Sequence, residues 1–246
     1  MADVSGRMVR RLDPHVKAHK PFFPVTQSSR GRVLITMLSL VFIIIAATLW
    51  PASPGRWFWV PALAGHLVMV IVGYLVWIST GVPRPPLTIR PRSPRAFFRV
   101  ATILGLVVIG LTVMSPSSGQ FLWYRHGIVA LVAWILFQSV IVGWTEEFYF
   151  RGVIQEVLSQ TISSRPFLGI PAFVWLSAGL FGLAHLVNLD SQPLLTTLMQ
   201  VLTASSLGLV FGQYYHKTQD LAGTAWLHNL FDGVVTILPW LFVLIK

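Results

Sequence analysis

Cysteine is absent from the 246-residue chain, which removes disulfides, thiolate nucleophiles and cysteine-bound metal from consideration. Charge is the next scarcity. Only 11% of residues are Asp, Glu, Lys or Arg, against about 25% in a soluble globular domain. Acid is scarcer still, with 8 Asp and Glu beside 18 Lys and Arg. Polar residues are too few to cover a soluble core of this length, so the solvent for most of the chain is a bilayer. The net charge of +10 raises nucleic acid as a partner. The basic residues, however, sit in blocks between apolar runs rather than along one helix face. That pattern fits anionic membrane lipid, and no nucleic-acid partner is expected. An internal repeat is also lacking, which disfavours a transporter built from inverted halves. No cleavable leader is expected either, because the first apolar run ends without a convincing small-residue cleavage site.

Apolar runs are what the chain has in plenty. A helix needs about 20 apolar residues to cross the hydrocarbon core. Candidate spans fall at 33–50, 57–80, 96–114, 121–144, 166–188, 193–216 and 221–245, the last interrupted near Pro239. A further apolar stretch at 145–160 either continues the fourth span or makes an eighth. The expected fold is all-α, a polytopic transmembrane bundle of seven or eight helices with a polar cavity inside the membrane. Residues 1–32 form a basic tail and 33–246 the transmembrane domain. Fifteen Lys and Arg residues fall in one set of alternate segments and three in the other. The positive-inside rule then puts the N-terminus and the Pro/Arg-rich linker from Pro83 to Arg95 in the cytoplasm.

Three polar clusters interrupt the apolar runs of the second half. They are Glu146-Glu147-Phe148-Tyr149-Phe150-Arg151, Phe181-Gly182-Leu183-Ala184-His185 and His228-Asn229-Leu230-Phe231-Asp232. Ionisable groups are costly inside a membrane and usually face a protein interior. Glu147 and Arg151 are four apart, so they share a helix face and pair. Glu146 is rotated about 100° from that face and is left for another partner. His228 and Asp232 again share a face, whereas His185 needs a partner from another helix. A carboxylate, a histidine on a second helix and polar groups on a third make a hydrolytic site. The carboxylate takes a proton from water, the histidine orients that water, and the third helix faces an oxyanion. The other ionisable and aromatic residues get plainer readings. His66 is read as a satisfied core histidine, His216 as a surface residue, and Trp144 as interfacial packing.

At these residues the chain resembles the CPBP family of CAAX proteases and bacteriocin-processing enzymes, which includes the type II CAAX prenyl endopeptidases. The EExxxR motif of that family is met by Glu146, Glu147 and Arg151, its FxxxH motif by Phe181 and His185, and its third motif by His228 and Asp232. All three lie in family order within a core at about 121–246. The resemblance implies an intramembrane glutamate-type endopeptidase that cleaves a membrane-anchored protein or peptide and uses no cofactor. Two histidines and a carboxylate also suit zinc. It implies that Glu146 and His185 activate water, that His228 and Asp232 form the oxyanion site, and that Glu147 and Arg151 support it. In the prenyl endopeptidases the third motif ends in Asn. An ionised Asp232 has no hydrogen to donate, so orienting His228 is the alternative. A non-proteolytic scaffold or immunity protein of the same fold is the rival reading. The HExxH, GxGD and GxSG signatures of other membrane proteases are absent. A bacterial inner membrane is the expected location. One geometric condition follows from the span boundaries. Glu146 and His185 meet only if the fourth helix runs on well past Glu146 or the fifth span is shifted, and Val153, Ile154, Val157 and Leu158 favour a long or displaced helix.

Overall fold

The computed structural model describes residues 28–49, 57, 59–83, 88–114, 127–162 and 165–244. The expected tail lies outside these residues up to position 27, as do Arg56, Arg84, Arg125 and Lys246 of the charge asymmetry. The long helices are α1 (Ser29–Leu49), α2 (Trp59–Thr80), α3 (Pro94–Met114), α4 (Ile128–Thr161), α5 (Ala172–Ala184), α6 (Leu194–Thr218) and α7 (Leu221–Leu244). A helical membrane bundle is therefore the architecture. Among the described residues, α1, α2, α4, α6 and the run Ala172–Asp190 that contains α5 are long and apolar enough to cross a membrane.

The bundle is apolar outward. On α1, Leu34, Leu38, Val41, Phe42, Ile45 and Leu49 form one exposed stripe, while Thr36, Ser39, Leu40 and Ile43 are buried opposite. In water an apolar patch of that size is a liability; in lipid it is the solvated face. Polar contacts then work inward. Tyr149 of α4, fully buried, bonds Ser39 of α1 at 2.7 Å, tying the two helices. Helices α5 and α6 approach through small residues, as membrane helices commonly do. A Cβ on Gly208 would stand 3.2 Å from the Ala178 backbone, and one on Gly182 would stand 2.7 Å from the Val201 carbonyl.

Several sequence boundaries change. The stretch after the fourth span is no eighth helix, because α4 is a single helix of 34 residues. Glu146 consequently lies near its middle. Residues 166–171 do not begin the fifth span. They form a two-stranded antiparallel hairpin, β1 (Pro166–Phe167) and β2 (Ile170–Pro171), turned at Leu168 and Gly169. Helix α7 runs through position 239. Arg151, counted with the loop charges, lies inside α4 and is fully buried, so it adds nothing to a surface asymmetry.

The linker docks on the turn between α6 and α7. Asp220 there accepts the backbone N–H groups of Arg92 and Ser93, and Trp226 donates its indole N–H to the Ile89 carbonyl at 2.8 Å. The linker and the α6–α7 turn thus share one end of the bundle.

Candidate active site

The site is organised by irregular turns of α4. Segments Phe137–Val142 and Phe148–Gln155 are wound as wide π turns, and Gly143–Glu147 between them is regular α-helix. Such turns lengthen the i→i−4 ladder to i→i−5 and leave backbone groups in need of partners. Asn229 of α7 supplies them. Its Oδ1 accepts the Gly143 N–H at 2.7 Å and its Nδ2 donates to the Val140 carbonyl at 3.1 Å. Gly143 permits that approach, since a Cβ there would lie 2.5 Å from the Ala225 carbonyl oxygen. The sequence pattern shows Asn229 only as a neighbour of His228. Its position is that of a clamp between α4 and α7.

That clamp brings His228 onto Glu147. Glu147 is fully buried and accepts Arg151 Nε at 2.9 Å on Oε2 and His228 Nδ1 at 3.0 Å on Oε1. Arg151 is held further by Ser177, whose Oγ accepts Nη1 at 3.2 Å and itself donates to the Phe150 carbonyl. The Phe181 ring lies 5.3 Å from the guanidinium carbon, a cation–π distance. The predicted Glu147–Arg151 pair is present, with His228 joined to it.

His228 connects this buried group to the reactive side. Its Nε2 is 3.3 Å from Asp232 Oδ2 and 3.8 Å from Glu146 Oε2. Phe211 stacks on its face, and the Phe181 ring meets it edge-on. Glu146 points away from Arg151, as the helical phase requires. Its Oε2 is buried and has no hydrogen-bond partner. His185 caps α5 where the helix tightens into the 3-10 turn His185–Asp190. Its Nδ1 is 3.0 Å from the Phe181 carbonyl, and its ring packs against the same Phe181 that touches His228. Phe181 therefore separates two of the expected site histidines.

His66, read as a satisfied core histidine, has a partner and a further neighbour: its Nδ1 is 2.7 Å from Thr145 Oγ1, and its Nε2 stands 3.9 Å from Glu146 Oε1. The sequence signal was an ionisable residue in a membrane span, the same signal that marks the other three clusters. Its partners lie 79 residues away, beyond the reach of helical spacing. Trp144 sits inside α4 and packs edge-on against Trp226 at 5.8 Å. His216 belongs to the last turn of α6 and meets the Phe173 ring.

Comparison with known proteins finds one family. Residues 128–234 match the family model described as type II CAAX prenyl endopeptidase Rce1-like. The matched stretch begins at α4 and ends two residues after Asp232, so it holds all three motifs. No curated protein and no solved structure matches the chain. Across the helices that carry its polar site, this chain is similar to the type II CAAX prenyl endopeptidases of the CAAX-protease, or CPBP, family of membrane peptidases.

Proposed function

We propose that this protein is a glutamate-type intramembrane endopeptidase, in which Glu146 is the general base for water attacking a peptide carbonyl. The observation that carries this reading is the state of the Glu146 carboxylate. It lies within the bundle, one oxygen lacks any hydrogen bond, and imidazole nitrogens stand 3.8 and 3.9 Å away on its two sides. Those gaps exceed a direct hydrogen bond and suit one shared water. Glu147 is taken by Arg151 and His228, so it supports the site and is not its base.

The chemistry follows the donors. Glu146 takes a proton from water as the water oxygen bonds the carbonyl carbon. Negative charge moves to the carbonyl oxygen, which lies toward His228. Both nitrogens of His228 face carboxylates, so the ring is fully satisfied only when both carry hydrogen, and its Nε2–H is the donor for the oxyanion. Asp232 orients that edge of the ring, the role an acceptor-only side chain can play. The proton then passes from Glu146 to the departing amine. His185 has Nδ1 taken by the Phe181 carbonyl and offers Nε2 to the water or the amine.

A membrane-anchored protein or peptide is the substrate class. An apolar groove of about 560 Å³, lined among others by Phe97, Trp226, Leu230 and Val234, opens beside Asn229. His228 is seven residues from the start of α7, about 10 Å along the helix. The site is thus entered from the linker end, the cytoplasmic side by the basic asymmetry, and a bacterial inner membrane is the location proposed. Cysteines at Ser93 and Ser53 test the orientation. Membrane-impermeant reagent should label Ser53→Cys and not Ser93→Cys on intact cells; the reverse result inverts the bundle.

The test of function is cleavage of a lipidated peptide by purified protein, with Glu146→Gln as control. Equal cleavage by both removes Glu146 as base. No cleavage by the wild type, with a cellular phenotype that Glu146→Gln still supports, returns the scaffold or immunity reading.

A further inference from the structure

We propose that His66 is a positioning residue of this reaction: its bare Nε2 and the Glu146 carboxylate together hold the attacking water by both of its hydrogens. The inference rests on the reading of Glu146 as general base. It goes beyond that reading by adding a fourth helix, α2, to the site.

The hydrogen-bond inventory around Thr145 assigns a hydrogen to Nδ1 of the ring. Thr145 Oγ1 lies 2.9 Å from the Val142 carbonyl and 3.2 Å from the Ile141 carbonyl, both acceptors only. The hydroxyl has one hydrogen, and it goes to those carbonyls. Toward His66, 2.7 Å away, the oxygen must then accept. Nδ1 then carries a hydrogen, and in the neutral ring Nε2 is a bare acceptor. Phe137 packs edge-on against the ring at 5.0 Å and holds its plane.

That bare nitrogen faces Glu146 Oε1 at 3.9 Å. Two acceptors so placed repel unless hydrogen lies between them. A water about 2.8 Å from each sits off the line that joins them and donates one hydrogen to each. Both of its hydrogens are then engaged, and its lone pairs point away from His66 and Glu146, where a carbonyl carbon can be met. Glu146 receives the proton that leaves; His66 keeps an ordinary hydrogen bond to the hydroxyl that remains. The two imidazoles against Glu146 therefore divide the work. His228, with a carboxylate at each nitrogen, donates to the oxyanion. His66, with a hydroxyl at one nitrogen and nothing on the other, accepts from water. Among the described residues His185 makes no ion pair with Glu146, and its Nε2 is left for the departing amine.

Two measurements test this. The first needs no activity: ¹⁵N-histidine spectra of the full chain in nanodiscs, with His66 assigned by substitution. The expected signal is a neutral ring protonated on Nδ1, and Thr145→Val should release it toward the commoner Nε2–H form. A wild-type His66 protonated on Nε2 overturns the proposal. The second uses a quenched peptide bearing a farnesylated cysteine, and one ending in an apolar transmembrane tail. His66→Asn keeps a donor near Thr145 but loses the acceptor, so kcat should fall roughly 10- to 100-fold with KM unchanged, a smaller loss than removal of the base. His66→Gln, whose amide oxygen reaches the Nε2 position, should recover part of it. Unchanged kcat in a folded His66→Asn beside an inactive Glu146→Gln overturns the role of His66 and leaves the protease standing. Failure of the wild type on both peptides removes the protease reading, and this proposal with it.

Discussion

Asp220 and Glu146 are both carboxylates inside a bundle that faces lipid, and their surroundings are opposites. Asp220 Oδ2 accepts the backbone N–H of Arg92 at 2.8 Å, that of Ser93 at 3.1 Å and the Tyr214 hydroxyl at 2.8 Å, while Oδ1 accepts the Gly223 N–H at 2.9 Å. Four fixed donors satisfy it. Three of them are backbone groups that gain and lose no protons, and they tie the linker, α6 and α7 together. Glu146 has none of this. The imidazoles of His66 and His228 beside it stop short of bonding distance. Burial makes an unsatisfied polar atom costly, and such a cost persists where it serves a reaction. A carboxylate whose lone pairs all meet fixed donors holds a fold together; one left waiting between imidazoles is available to water.

Four substitutions sharpen or break that contrast. The largest effect is expected at Glu146. Glu146→Gln keeps shape and removes basicity, so the cleavage rate should drop about 10²–10⁴-fold with the melting temperature in detergent nearly unchanged. A large loss of stability there would move Glu146 into the same class as Asp220. Glu147→Gln comes next and should affect both properties. It leaves Arg151 and His228 without their shared carboxylate, and breaking a buried pair costs about 3–5 kcal/mol. A Glu147→Gln protein that melts like wild type yet cleaves nothing would make Glu147 the base. Asp220→Asn should act on stability alone. Its amide group meets donors where an acceptor stood, at a cost of about 1.5–3 kcal/mol for hydrogen bonds to a charged group. Specific activity of the folded fraction should hold, and its collapse would show that the linker contact reaches the site. The smallest effect belongs to Asp232→Asn. In the prenyl endopeptidases that the chain resembles this position is Asn, which both accepts and donates, so activity should stay within about tenfold of wild type. A complete loss, measured as initial rate on the same peptide, would give Asp232 a charge-dependent role of its own.

Hydropathy and helical phase carried much of the architecture. Runs of about 20 apolar residues have one stable form in lipid, the helix, because every backbone group must bond within it. The i, i+4 spacing of Glu147 with Arg151 and of His228 with Asp232 reads directly as shared faces, and both pairs meet. Spacing on one helix says nothing about which residues of other helices arrive beside it. His66 read as a satisfied core histidine with no partner named, because its partners come from α4, and Asn229 looked like a bystander because a π turn has no sequence period of its own. Asp220 was unremarked for the same reason, since three of its four partners are backbone or linker groups that carry no side-chain signature.

Hydropathy and spacing alone show that the chain lives in a membrane, roughly where it crosses, which residues are too costly to be there without purpose, and which of them share a helix face. Packing of the helices is what makes α4 continue for 34 residues and carry Glu146 into the bundle. It alone decided that Asn229 clamps its irregular turns and that His66 completes the ring of groups around one carboxylate. The physical reason is range. Apolar transfer and helical phase are properties of neighbours along the chain. The distance between Glu146 and an imidazole 80 residues away depends on how every helix between them packs.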